Sequence, residues 1–179
     1  MKKILFLITL LLIVLLSSYP SFALVSSPSA EIKVESKYIL AYPGILPDHP
    51  LYKLKVLRDK IILLLINNPQ KKVDFYLLQT DKGIAATETL TNKGNIKLAQ
   101  ETALKAEHNY TLLTYEVKRN KWEISNRQYN KLKSAALKHQ ETLQNIIVKV
   151  PAEEKEIFKT ILYFSQKNLE EVKNTLLQE

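Results

Sequence analysis

From Pro50 to Leu176 apolar residues recur at alternating three- and four-residue steps, with interruptions of only one to six residues. A period near 3.6 gathers such residues on one side of a helix, and a helix with one apolar side must bury it against a neighbour. Glycine points the same way. Three glycines in 179 residues are too few for a turn-dense β-sandwich or for a Gly-rich phosphate cradle. With 46% apolar and 25% charged residues, the chain has the material for a packed core. The expected fold is all-α, an antiparallel helical bundle of about five helices over residues 50–179, because short connections turn consecutive helices back on one another.

The helix boundaries are written in cap chemistry. Pro50 suits a first helical position, with Asp48 or His49 as cap. Leu54, Leu57, Ile61 and Leu64 then form a stripe that thickens to six apolar residues, Ile61–Ile66, an end expected to be buried on most sides. Asn68 and Pro69 read as N-cap and N1 of a second helix with Val73, Tyr76, Leu77, Thr80 and Ile84 on one face. Gly83 lies inside that helix, where close approach of a neighbouring helix is one reason for a glycine. Gly94 reads as a C′ glycine, and Asn95 as the cap of a third helix reaching about Asn120. That helix has Ala99, Ala103, Ala106, Tyr110, Leu113 and Val117 at seam positions. Past a break near Trp122–Ile124, Ser125 and Gln128 form a capping box, with Ile124 and Tyr129 as hydrophobic staple. The fourth helix carries Tyr129, Leu132, Ala136, His139, Leu143, Ile146 and Val150 along its seam. Pro151 opens a fifth, with Phe158, Leu162, Ser165, Leu169, Val172 and Leu176 in line, widened towards the core by Ile157, Ile161 and Phe164.

The N-terminal segment reads as an address. Lys2 and Lys3 precede an apolar run, Ile4–Leu16, broken only by Thr9, and Ser21-Phe22-Ala23 places small residues around a cleavage point. Residues 1–23 are therefore expected to be a secretory signal peptide. The rival is an uncleaved N-terminal anchor, but a bilayer span needs about 20 apolar residues. Removing residues 1–23 deletes two lysines and no acid, so the net charge falls from +8 to +6. Residues 24–49 read as an extended tether, with a strand-like alternation at Glu31–Glu35, followed by a proline-rich loop. The expected location is secreted, periplasmic or otherwise in the cell envelope. The chain has no cysteine, so disulfides, thiolate metal sites and thiol nucleophiles are excluded.

The loop carries a motif. Pro43-Gly44-Ile45-Leu46-Pro47-Asp48-His49-Pro50-Leu51-Tyr52-Lys53-Leu54-Lys55 resembles a PGxLPDxPxYxLK opening, followed by an Asn-Pro break (Asn68-Pro69) and a Gly-Asn turn (Gly94-Asn95). Over roughly residues 42–120 the chain resembles the bacterial and archaeal domain-of-unknown-function family numbered five-six-six-seven. Two positions depart from the pattern: Asp59, where the family has Glu, and Gly83, where Arg or Ala is usual. The resemblance implies a secreted or membrane-tethered helical protein, and no activity comes with it. Pro43, Gly44, Pro47, Asp48, Pro50 and Tyr52 are read as structural, packing the loop on the first helix.

Nothing in the sequence assembles a reactive group. His49 belongs to the loop, His108 has no second ligand one turn away, and His139 lies on a seam. Bundle metal sites draw on Glu-x-x-His pairs, and none is present, so no metal or cofactor is expected. Glu153, Glu154 and Glu156 cluster at a helix start, where the dipole favours acids. No Gly-x-Ser-x-Gly or Ser-x-x-Lys motif occurs, and Asn109-Tyr110-Thr111 is a sequon in mid-helix. No catalytic activity is expected.

Charge is the remaining signal. Between Glu116 and Gln140, Lys118, Arg119, Lys121, Arg127, Lys131, Lys133 and Lys138 stand against Glu116 and Glu123, with Trp122 among them. Such a run is either a solvated helix face or a surface for an envelope protein, an anionic envelope polymer or lipid headgroups. Export removes nucleic acid from the partners considered. The sequence thus supports a non-catalytic extracytoplasmic interaction module. The alternatives are a stress-sensing or chaperone-like adaptor that opens to expose Ile61–Ile66, and, third, a helical metal-binding or hydrolytic protein.

Overall fold

The computed structural model describes residues 37–119 and 125–176. The signal peptide, the Glu31–Glu35 alternation, the Trp122–Ile124 break and Ile124 of the staple lie outside them. Five α-helices follow one another: α1 (Tyr52–Leu65), α2 (Pro69–Asn92), α3 (Ile96–Arg119), α4 (Asn126–Lys149) and α5 (Lys155–Leu176). The fold is all-α, with no strand among the described residues.

The caps do what their residues suggest. Asn68 Oδ1 accepts from Lys71 N at 3.1 Å, with Pro69 at N1. Gly94 takes φ +77°, a conformation that costs a residue with a Cβ. There Gly94 N donates to Thr91 O and Asn95 N to Leu90 O, closing α2 in a Schellman motif. Ser125 and Gln128 complete their capping box. Two starts differ. A turn at Pro50–Leu51 precedes α1, which begins at Tyr52 with Leu51 as cap. Pro151 precedes a single 3-10 turn, Ala152–Glu154, before α5.

The bundle proper has four helices. Around its circumference α2 packs on α3, α3 on α5, α5 on α4 and α4 on α2. The sequential pairs α2/α3 and α4/α5 are antiparallel hairpins. The lateral pairs run parallel: Asp74 meets Lys131 and Asp81 meets His139 on α2 and α4, while Gln100 meets Glu154 just ahead of α5 and Lys118 meets Glu171 on α5. Antiparallel packing therefore describes the hairpins, not every neighbour, because α4 stands diagonal to α3.

The seams predicted for α2, α3 and α4 are buried, apart from half-buried Tyr129. Gly83 is explained by close approach: a Cβ there would stand 2.6 Å from Ala106 Cβ. On α5, Phe158, Ile161, Ser165 and Val172 are buried, whereas Ile157 and Phe164 are exposed. The α5 stripe is thus narrower than its apolar content suggests, since the helices on which α5 packs closely are α3 and α4.

Helix α1 overturns the burial expected of it. It packs closely against none of the other helices and contains no buried residue. Its half-buried side is Tyr52, Val56, Asp59 and Leu63, the less apolar one. The stripe Leu54, Leu57, Ile61, Leu64 and Leu65 points the opposite way, with Leu64 81% and Leu65 74% exposed. Leu63 does reach the core around Val73, Tyr76 and Tyr110, but the Ile61–Ile66 end as a whole is open.

Candidate functional site

Two arrangements gather chemically distinctive side chains. The first is a polar layer across the bundle. One apolar cluster lies around Leu77, Tyr110, Leu132 and Val172, the other around Ile84, Ala103, Leu143 and Phe158. Between them each helix contributes a polar group: Asp81 from α2, Glu107 from α3, His139 from α4, Ser165 and Asn168 from α5. His139 Nε2 lies 2.8 Å from Asp81 Oδ1, and Tyr38 of the N-terminal segment donates to Asp81 Oδ2 at 2.8 Å. Asn168 Nδ2 donates to Glu107 Oε2 at 3.2 Å, and Thr111 Oγ1 to Asn168 Oδ1 at 3.0 Å. Tyr110 meets the His139 ring edge-on and donates to Leu132 O at 2.9 Å.

Burial pushes the Glu107 carboxyl above its ordinary range, opposed by the charge of His139 and by hydrogen bonds from Asn168 and Ser165. Burial likewise raises the Tyr110 and Tyr38 hydroxyls, and the Asp81 carboxylate raises both further. Glu107 Oε1 and His139 Nδ1 are buried without a hydrogen-bond partner. A Tyr–Asp–His chain has the groups for proton transfer, but its His139 member is wholly enclosed in the bundle. Among the described residues no three His, Asp or Glu side chains converge as metal ligands.

The second arrangement is a cleft of about 430 Å³ between α1 and the α2/α3 hairpin. Val56 and Leu63 of α1 face Phe75, Gly83 and Ala86 of α2 and Ala106 and Leu112 of α3. Lysines stand around this apolar interior: Lys55 and Lys60 from α1, Lys82 from α2 and Lys105 from α3, with Asp59 the one acid in the lining. Lys55 Nζ donates to Pro43 O at 2.9 Å and Ile45 O at 3.2 Å, which ties α1 to its loop. Asp59 pairs with Arg58 at 2.7 Å. Lys60, Lys82 and Lys105 have no acidic partner among the described residues. Burial lowers the Lys55 ammonium; Asp59 opposes this, and Lys82 and Arg58 add to it. His108 also lines the cleft.

The residues singled out in the sequence are dispersed. In the basic run, Lys118 pairs with Glu171, Arg119 with Glu116, Lys131 with Asp74 and Lys138 with Glu141. Lys133 lies 6.0 Å from the Tyr129 ring centroid, Arg127 is exposed, and Lys121 and Trp122 lie outside the described residues. In the loop, Asp48 pairs with Lys93 at 2.8 Å, and that hydrogen bond holds its carboxyl below the usual range. His49 Nδ1 accepts from Leu51 N at 3.1 Å. Pro47 and Tyr52 line the cleft, Pro43 lends its carbonyl to Lys55, Gly44 takes φ +67°, and Pro50 is exposed. The loop thus fixes where α1 sits.

Asp81 and Glu107 were not legible as a pair, although a signal existed. Asp81 lies one turn after Leu77, and Glu107 one turn after Ala103, both on stripes the sequence marks as buried. An acid on a buried stripe needs a partner, and His139 on a facing seam was the available one. No helix among the described residues is long and apolar enough to cross a membrane.

The profile of a family described as Domain of unknown function (DUF5667) matches residues 44–153. The match begins in the proline-rich loop and runs through α4, beyond the stretch that carried the resemblance. No curated protein and no solved structure matches the chain.

Proposed function

The chain belongs to the DUF5667 family, and on that footing we propose a non-catalytic interaction module working outside the cytoplasmic membrane, whose contact surface is the outward side of α1. The observation that carries this reading is the stripe Leu54, Leu57, Ile61, Leu64 and Leu65, each about half exposed or more on a folded chain. A contiguous apolar patch of this kind is the usual mark of a docking surface. Lys53 and Lys60 flank it on one side and Arg58 on the other, the distribution of a helix that lies in an anionic headgroup layer with its charged tips in water. The partner favoured is therefore the lipid surface itself. The enclosure of His139 and the pairing of most of the basic run support a passive role.

The chain has no native cysteine, which allows a clean test. A single Leu57→Cys carrying an environment-sensitive dye should brighten and shift to the blue on vesicles containing phosphatidylglycerol. The same dye on Glu101→Cys, an exposed position of α3, should not respond. Equal responses, or none at position 57, sink the reading. A chaperone-like role is the second reading, favoured by the exposed Ile61–Ile66 end, which needs no opening of the bundle to meet a client. It predicts suppression of client aggregation that Ile61→Glu abolishes.

A further inference from the structure

We infer that the cleft beneath α1 is a binding site for a single-chain anionic amphiphile, with the tail between α1 and the α2/α3 hairpin and the charged head at the lysine rim. The inner side of α1 is a different surface from the outward stripe, so this site stands or falls independently of lipid-surface docking. Three observations converge on it. The cleft measures about 430 Å³, within the range of small-molecule sites, and such sites combine apolar walls with a few placed polar groups. Its walls are Leu63, Phe75 and Leu112 with small residues between them. Its rim holds Lys60, Lys82 and Lys105, which converge from three separate helices on one apolar cleft and have no acidic partner among the described residues.

The chemistry selects the occupant. A helical peptide, about 10 Å across, is too wide for a cleft of this volume. An extended peptide laid in the cleft would meet helical backbone on every side, whose N–H and C=O groups are already spent within the helices. Its own amides would go unpaired, at a cost in free energy. An acyl tail has no such groups. Rim ammoniums are flexible point charges that accept a carboxylate or a phosphate without demanding one planar geometry. Gly83, Ala86 and Ala106 form the small-residue floor of the cleft, where α2 and α3 meet. The head is either a fatty-acid carboxylate or a lysophospholipid phosphate, and the probes below separate the two.

The test is titration of the full chain with dodecanoate, dodecyl phosphate and dodecanol, each below its micellar concentration. Both anions should bind saturably and at least about tenfold more tightly than the alcohol, which lacks the head charge. Tighter dodecanoate assigns a fatty acid, and tighter dodecyl phosphate a lysophospholipid. Because the apolar run Ile4–Leu16 adds apolar surface outside the cleft, the decisive comparison is between variants. Lys82→Ala with Lys105→Ala should weaken both anions by about tenfold and leave dodecanol unchanged, as expected for loss of two partly desolvated ion pairs. Gln79→Trp, which fills the cleft from α2, should abolish the saturable phase for all three; circular dichroism confirms the fold of each variant. Unchanged anion binding in both variants, no saturable binding by the wild type, or equal binding of dodecanol and the anions overturns the site.

Discussion

One carboxylate, that of Asp81, is shared between a buried base and the N-terminal segment: His139 Nε2 stands 2.8 Å from one oxygen and the Tyr38 hydroxyl 2.8 Å from the other. The bundle's inner polar layer is thereby joined to the residues that lead into the proline-rich loop and α1.

Substitutions at this junction should separate by kind. His139→Asp sets a second carboxylate against Asp81 where neither is solvated, and should cost about 3 kcal/mol or more. Tyr38→Phe removes only the hydroxyl and leaves a partly buried acceptor short of one bond, a loss of about 1–3 kcal/mol. Denaturant midpoints measure both. A His139→Asp chain as stable as the wild type would show that the layer is hydrated rather than dry.

Glu107 should make stability fall with rising pH. Burial, outweighing His139, Asn168 and Ser165, raises its carboxyl above the ordinary 4.5. A carboxyl that holds its proton more tightly when folded contributes stability that is fully present below its unfolded value. That contribution is lost as pH climbs through the folded value. Glu107→Gln keeps an acceptor for Asn168 and removes the titration, so its stability relative to wild type should improve from about pH 4 to pH 8. A difference that stays constant across that range would contradict the assignment.

Gly83→Ala sets two effects against each other. Alanine favours the helix by up to about 1 kcal/mol, but its methyl group would stand 2.6 Å from Ala106 Cβ, and forced backbone separation costs about 1–3 kcal/mol. Packing should win, with net destabilisation of about 1 kcal/mol. Combining it with Ala106→Gly should cost less than the two single changes summed. Simple additivity would place the helices farther apart than described.

The outward stripe of α1 should be dispensable for folding. Leu57→Glu with Ile61→Glu alters exposed positions and should change stability by no more than about 0.5 kcal/mol per site. Leu113→Ala, at a fully buried seam position, should cost about 2–5 kcal/mol. A large loss from the α1 pair, read by thermal melting, would mean that those leucines are core after all.

What the sequence could and could not disclose follows from the range of each cue. Asn68 and Pro69, the Gly94 turn and the Ser125–Gln128 box act within four residues, so they are readable without knowing the rest of the fold. The seams of α2, α3 and α4 are equally readable, because each alternates cleanly between buried and solvated sides. For α1 the same cue failed. Periodicity says that Leu54, Leu57, Ile61 and Leu64 share a side, but not whether anything in the chain covers it. The basic run was read from linear density, and its lysines find acids such as Asp74 and Glu171 on other helices, which no linear count contains. The cleft lysines come from three separate helices and form no run at all.

The two hairpins bear on how the chain reaches this state. Each closes from contacts between neighbouring segments, which form fast because little loop entropy is lost. Docking one hairpin on the other must then bring Asp81 to His139, 58 residues on, and Glu107 to Asn168, 61 residues on. If the hairpins close before they dock, altering these contacts should quicken unfolding and leave refolding nearly unchanged, as stopped-flow rates would show.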